Sequence, residues 1–182
     1  MPAHLASNGA QHAALADAYL QTQAVPSATI ELTIKNVQQK IAGKAIVDSP
    51  AVPFPLAGFP RGQVYLGVRF GKSSEEVQRD GKTLGVHAFF TCPGAPAVEP
   101  PPEICFQGTT FTLVSQDGAV KNLEKCMRDL DDKASLGEGW GWSELCEDVT
   151  PFIKDNTIVV GATIRARPAA PADAATLKHT VA

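Results

Sequence analysis

The sequence predicts an all-β protein, an antiparallel β-sandwich of about seven to eight strands with one or two short helices. Two observations carry this prediction. Apolar and polar residues alternate with period two in several segments, and glycine and proline, 15 and 14 of the 182 residues, separate those segments. Short alternating strands joined by glycine- and proline-rich turns are typical of sandwiches rather than of parallel α/β sheets.

Five segments carry the strand pattern. The first has Ile30, Leu32 and Ile34 on one face, and the last alternates in the same way across 156–167. The segment 84–92 is apolar at nearly every position, which fits a strand buried on both faces or one that changes register. The predicted strands cover 29–36, 64–70, 84–92, 111–115 and 156–167.

Two short helices interrupt the strands in this prediction. The first follows from apolar residues at the helical spacing i, i+3, i+4 and i+7, with Asn122 as the N-cap. Its apolar residues are Leu123, Cys126, Met127 and Leu130. The second is a single turn over 143–148, with Ser143 as the N-cap and Pro151 beyond its end.

Composition divides the chain into three parts. Residues 1–27 are rich in Ala, Gln and Ser and are predicted to be a flexible segment, in which Leu15 and Tyr19 fit one face of a short helix. Residues 28–167 hold the predicted sandwich. Residues 168–182 open with a run of Pro and Ala and are predicted to be a mobile tail.

A proline-rich stretch, 93–102, separates two of the predicted strands. It ends in three consecutive prolines, which favour an extended polyproline II conformation. We interpret this stretch as a rigid connector, because proline reduces the entropy lost when a loop is ordered. The alternative is that it serves as a ligand for an aromatic groove on another protein.

Charge and hydropathy exclude several classes of partner. The net charge is −3 and the sequence pI is about 5.8, so no basic surface is expected for nucleic acid or an anionic membrane. No segment reaches the roughly 18 apolar residues of a membrane span, and the N-terminus lacks the basic and apolar regions of a secretion signal. The sequence therefore predicts no membrane association and a cytoplasmic or nuclear location.

Nothing in the sequence predicts catalysis, a cofactor or a metal site. The four cysteines form no CxxC pair and are interpreted as reduced thiols rather than as zinc ligands. No phosphate-binding loop, GxSxG or HExxH motif occurs. The alternative is an unrecognised enzyme that uses His87, Glu144 or a cysteine, and it requires a pocket where two of those groups converge.

A tryptophan-rich stretch, Gly-Trp-Gly-Trp-Ser-Glu-Leu at 139–145, precedes a turn and the last predicted strand. Before it stand, in order, the segments 30–37, 63–71, 84–93 and 111–118. In their order and spacing these pieces resemble the MATH domain, the meprin and TRAF homology sandwich. The resemblance extends over about residues 29–167 and implies a TRAF-like arrangement of the strands.

The resemblance implies peptide binding, because MATH domains in TRAF adaptors, ubiquitin-ligase adaptors and a deubiquitinase bind short unstructured peptides along a sheet edge and groove. Alternation in an extended segment puts Trp140 and Trp142 on one face, as candidate anchors for such a peptide. Gly141 between them either lets a peptide backbone approach closely or supplies turn geometry. The places of further groove aromatics of the family are held here by Val86, Thr109 and, in a poorer alignment, Asp132.

Three functions stand as hypotheses at this point. The first is a non-enzymatic module that binds a short linear peptide of a partner protein, and exposed tryptophans favour it. The second is a structural or scaffolding subunit of an assembly or oligomer, in which the tryptophans only close the core. The third is the enzyme considered above. The sequence shows no BTB, RING or protease module beside the sandwich, so a complete ligase adaptor or deubiquitinase is not expected.

Overall fold

The computed structural model describes residues 25–71, 82–97, 99–129 and 131–169 of the chain. In these ranges the backbone forms twelve β-strands, one α-helix and one 3-10 turn. Helix α1 (Val37–Ala42) follows the first strand, and the 3-10 turn Thr150–Phe152 precedes the eleventh. The strands are β1 (Ser27–Lys35), β2 (Ile46–Asp48), β3 (Val52–Pro53), β4 (Gln63–Phe70), β5 (Leu84–Thr91), β6 (Glu103–Cys105), β7 (Thr110–Val114), β8 (Leu123–Cys126), β9 (Lys133–Ser135), β10 (Gly139–Cys146), β11 (Thr157–Arg165) and β12 (Arg167–Pro168).

Two antiparallel sheets enclose a common core. The first sheet has the strand order β1-β11-β7-β8, and the second has the order β10-β5-β4-β2 with β3 also paired to β4. A small third sheet has the order β12-β6-β9. The predicted all-β antiparallel sandwich is confirmed. The structure has more strands than predicted because β2, β3, β6, β9 and β12 are only two or three residues long, too short to show an alternating pattern.

The core lies between the two main sheets because alternate residues of their strands point into it. In β11 every second residue from Ile158 to Ile164 is buried, and β1 contributes Ile30 and Ile34. β5 pairs with β4 without a break in register and alternates buried with half-buried side chains from Val86 onwards. The apolar run 84–92 is therefore one regular strand with a core face and a partly covered outer face.

The helix predicted from Leu123 onwards is wrong. Leu123–Cys126 is β8, which pairs with β7 in a hairpin whose connection contains Asp117 and Gly118. Met127 continues this ladder, since its N–H donates to the carbonyl of Thr109 at 2.8 Å. The pairing of the hairpin decides the structure of this segment, although its apolar residues have helical spacing. The last of these residues, Leu130, lies outside the described residues.

The single turn predicted over 143–148 is also wrong, because β10 continues to Cys146. The strand has an irregularity after Trp142 and returns to β5 where Cys146 pairs with Leu84. Leu145 is buried within this irregular part. The helical turn forms later, at Thr150–Phe152, and contains Pro151 rather than ending before it.

Helix α1 was not predicted because its N-terminus is stabilised by a residue far away in the sequence. Asn36 before it adopts a left-handed conformation, with φ of 57°, and its side chain makes no capping hydrogen bond. The N–H of Val37 instead donates to the carbonyl of Asn156 at 3.1 Å, and the N–H of Gln38 donates to the Asn156 side chain at 2.9 Å. Val37 is fully buried and anchors the helix to the core.

The first and last described strands mark the ends of the paired region. β1 begins at Ser27, and β12 extends the paired region to Pro168, where Pro168 lies opposite Ile104 of β6. The N–H of Ala169 then donates to the carbonyl of Glu103 at 2.9 Å. The flexible N-terminal segment with its short helix and the mobile C-terminal tail are predictions that fall almost entirely outside the described residues.

Candidate functional site

Each main sheet ends in an edge strand on the side of the sandwich that carries the tryptophans. Within the described residues β10 pairs with β5 alone, and β8 pairs with β7 alone. A hydrogen bond joins the two edges, from the Lys125 ammonium on β8 to the carbonyl of Glu144 on β10 at 3.3 Å. We call this side, formed by β10 with Lys125, Asp132, Trp140 and Trp142, the tryptophan edge.

Trp140 is the exposed tryptophan. It retains 39% of its accessible surface, and its indole Nε1–H donates to Asp132 Oδ1 at 3.1 Å. Asp132 is held in turn, because its Oδ2 accepts the N–H of Asp129 at 2.8 Å and its carbonyl accepts the N–H of Phe106 at 2.6 Å. The indole therefore has a fixed orientation while its apolar surface faces solvent.

Trp142 is the partly buried tryptophan. Its ring stands edge-on to Phe111 of the first sheet, with ring centroids 5.8 Å apart and an interplanar angle of 88°. It lies opposite Val86, and Trp140 lies opposite Ala88, and both of these neighbours are fully buried. The register thus places both indoles on the same face of the sheet, as alternation predicts, and that face is the inner one.

The glycines on either side of Trp140 serve the packing of β10. A Cβ on Gly141 would overlap the carbonyl oxygen of Val86 and lie 2.7 Å from the Cα of His87. A Cβ on Gly139 would overlap the ring of Phe89. Both glycines lie in regular pairs of the strand, so the turn geometry considered from the sequence is wrong for Gly141. The absence of a side chain lets β5 and the Phe89 ring approach closely.

Two of the residues predicted to line a groove are buried. Val86 and Thr109 have no accessible surface. The Thr109 hydroxyl donates to the carbonyl of Arg165 and accepts its N–H, both at 2.9 Å, which fastens the end of β11 to the start of β7. Val86 therefore lies under Trp142, its partner on β10, and Thr109 is part of the buried framework. The structure brings Asp132 together with Trp140, although the alignment at Asp132 was poor.

Burial shifts the pKa of two of the side chains considered for catalysis, His87 and Cys146. Burial, and secondarily the positive charge of Arg69, lowers the pKa of His87, whose Nδ1 is buried without a hydrogen-bond partner. His87 lies on the outer face of β5 beside Phe89, which stacks on Tyr65 with ring centroids 4.7 Å apart. Burial raises the pKa of the Cys146 thiol, which disfavours the nucleophilic thiolate.

We expect His87 to make the stability of the protein pH-dependent. In the unfolded chain the imidazole takes up a proton near its ordinary pKa of 6.5, whereas the folded chain binds that proton only at lower pH. The stability contributed by a neutral His87 is therefore fully present above pH 6.5 and is lost as the pH falls below that value. The added slope is at most about 1.4 kcal/mol per pH unit.

Chemical denaturation between about pH 7.5 and pH 5.5 measures this effect, because most carboxylates stay ionised over that range. The free energy of unfolding of the His87→Gln variant should depend less steeply on pH than that of the wild type. The other three histidines are unchanged in the variant, so the difference in slope reports His87 alone. Equal slopes would contradict the prediction.

The described part of the chain holds no group of three or more His, Cys, Asp or Glu side chains arranged to bind a metal ion. None of the four cysteines takes part in a disulfide. As for membranes, the helical part of the described ranges contains no segment long and apolar enough to cross one.

Comparisons with known proteins give a similarity of fold only. No protein-family model matches the chain, and no curated protein matches it. Among solved structures the chain is similar to Notothenia coriiceps TRAF5, with a TM-score of 0.49 and 14% sequence identity. The alignment covers 86% of this chain and 83% of that one. One fold supports many functions, so a similarity of fold does not determine the function.

Proposed function

We propose that the protein is a non-enzymatic interaction module, which binds a short extended peptide of a partner protein at the tryptophan edge. The observation that carries the proposal is that β10 is an edge strand with an exposed, oriented tryptophan. Edge strands offer unpaired backbone N–H and C=O groups to an incoming strand. Large aromatic side chains beside such an edge are common anchors of interfaces.

The peptide adds to the free side of β10 and rests on the exposed surface of Trp140. Backbone hydrogen bonds supply affinity, and the side chains at the edge select the peptide. The carbonyl of Glu144 accepts a hydrogen bond from the Lys125 ammonium and, with its second lone pair, can also accept a peptide N–H. The Lys125 ammonium then lies beside the peptide and favours an acidic residue there.

The chemistry of the site supports binding rather than catalysis. His87 lies on the outer face of β5, whereas both tryptophans lie on the inner face, and the Cys146 thiol, with its raised pKa, stays protonated. Cysteines that form no disulfide bond, like the four of this chain, are typical of cytoplasmic and nuclear proteins. We propose one of these locations for the protein. Membership of the MATH family and a role in ubiquitin pathways are parts of the same proposal.

Selection from a displayed library of disordered peptides tests the proposal. We expect one motif to be enriched on the wild type and to be lost on Trp140→Ala. Trp140 suits the test better than Trp142, because Trp142 packs on Phe111 and its removal also affects folding. Ile46→Ala is the matched control, since Ile46 is 62% exposed and lies on β2 at the opposite edge of the same sheet.

The control variant should retain the enriched motif, and circular dichroism should show that both variants are folded. A motif that binds Trp140→Ala as well as the wild type would place the site elsewhere on the molecule. If a folded wild type selects no motif, the proposal is wrong. The protein would then be better explained as a structural subunit of an assembly.

A further inference from the structure

A second concave surface lies at one end of the second sheet, where β4 begins and β5 ends. It consists of two adjoining clefts of about 380 Å³ and 360 Å³, which share Pro60, Arg61 and Pro93. We call the two together the proline groove. Further prolines line both of its halves, and its larger half is closed by Pro102 and Leu136.

The walls of the proline groove are held by backbone hydrogen bonds within and between the loops. Leu56 and Phe59 exchange two backbone hydrogen bonds, at 3.2 and 2.8 Å, which close the turn that forms one wall. The N–H of Ala95 donates to the carbonyl of Cys92 at 3.0 Å, and the N–H of Leu136 donates to that of Pro102 at 2.8 Å. The groove is therefore preformed, and a ligand does not have to order it on binding.

One aromatic side chain gives the groove a fixed apolar surface. The ring of Phe59 packs edge-on against the fully buried Phe90, with ring centroids 5.6 Å apart. Phe90 also contacts the ring of Phe54, at 6.4 Å between centroids. Because Phe90 belongs to the core, Phe59 keeps its position and presents its free surface to the groove.

The charge of the groove comes from Arg61. Among the residues that the structure describes, it is the one charged residue that lines either half, and it lines both. Its Nη1 lies 3.6 Å from the place of a Cβ on Gly94, so the guanidinium reaches from the turn before β4 to the loop after β5. Within the described ranges no carboxylate forms a salt bridge with Arg61, whereas Lys133 pairs with Glu103 at 2.8 Å.

We propose that the proline groove is a second binding site, which takes an extended peptide with an Asp or Glu between apolar residues. The carboxylate pairs with the Arg61 guanidinium, a geometry in which arginine forms two parallel hydrogen bonds. The residues on either side of it occupy the two apolar halves. Each half has the volume of a small ligand site, enough for one or two side chains.

A single elongated ligand fits better than a compact one, because the two halves adjoin and Arg61 lines both of them. This site is independent of the proposed function. Its larger half is lined by residues of 58–61 and 92–96 with Pro102 and Leu136. Its smaller half adds residues of 53–55 and 62–63, and none of the residues of either half belongs to the tryptophan edge. Loss of either site therefore leaves the other intact.

NMR titration of the full chain tests this second site. The probes are capped pentapeptides with a central Glu between Leu, Val, Phe or Pro residues, and for each a matched peptide with a central Gln. We expect saturable shifts at the amides of Gly58 and Gly94 and at the Arg61 side chain. We expect the best Glu peptide to bind about five- to tenfold more tightly than its Gln counterpart.

Arg61→Gln should remove this preference for Glu, and Arg128→Gln, which also removes one exposed arginine, should keep it. Three outcomes would overturn the proposal. They are no saturable shift at the groove by about 2 mM peptide, equal binding of the Glu and Gln peptides, and shifts confined to the tryptophan edge. Binding of butyrate that matches the best peptide would show that the site takes small carboxylates instead.

Discussion

Replacement of Trp142 with alanine is expected to lower the free energy of unfolding by about 3 kcal/mol. The indole lies between the two sheets, where it packs edge-on against Phe111 of β7, and its residue pairs with the buried Val86 of β5. Its removal leaves a cavity beside residues that are fully buried, and the rigid sheets collapse only partly into such a space.

Urea denaturation followed by far-ultraviolet circular dichroism measures this loss. Trp142→Phe is the matched control, since it keeps a ring against Phe111, and we expect it to cost about 1 kcal/mol. A loss below about 1 kcal/mol for Trp142→Ala would show that the ring does not contribute to the core. In that case Trp142 would be available as a second anchor for a ligand.

The long strands could be predicted because one face of each strand is buried along its length, and this burial appears in the sequence as alternation of apolar and polar residues. β11 shows this best, since every second residue from Ile158 to Ile164 is buried and the sequence alternates in the same way. β4 and β5 follow the same rule on their inner faces. Alternation is a local signal, so the sequence contains it directly.

The errors fall where distant parts of the chain decide the local structure. Four residues from Leu123 to Leu130 have helical spacing, yet Leu123 pairs with Leu113 of β7, and the hairpin decides the outcome. Helix α1 depends on Asn156, which lies more than a hundred residues away from it. Neither contact can be recognised in the amino-acid sequence of the segment whose structure it determines.

The candidate site shows the same limit. Period two predicts that Trp140 and Trp142 share a face, but only the pairing with β5 shows that this is the inner face. The sequence predicts Val86 and Thr109 as groove residues, but Val86 lies inside β5 and Thr109 just before β7, and both are fully buried. The proline groove joins three loops that are remote in sequence, so it had no signature before folding.

A double-mutant cycle between Trp140 and Asp132 is expected to show that Asp132 acts on peptide binding through the indole. With a peptide selected as described above, we expect Trp140→Ala to weaken binding about 30-fold, the loss typical of a hot-spot residue. Asp132→Ala should weaken binding about three- to fivefold, because it frees an indole that its Oδ1 holds at 3.1 Å. The double variant should bind no more weakly than Trp140→Ala alone.

Fluorescence anisotropy gives the dissociation constants, and two further variants separate positioning from charge. Asp131→Ala removes one carboxylate from the neighbouring exposed position and should leave binding unchanged. Asp132→Asn keeps an oxygen that accepts the indole N–H and should retain most of the affinity. If instead Asp132→Asn binds as weakly as Asp132→Ala, or the losses of the two single variants add, then Asp132 contacts the peptide through its charge. The affinity for the peptide would then depend on the charge of Asp132 and not on the orientation of Trp140.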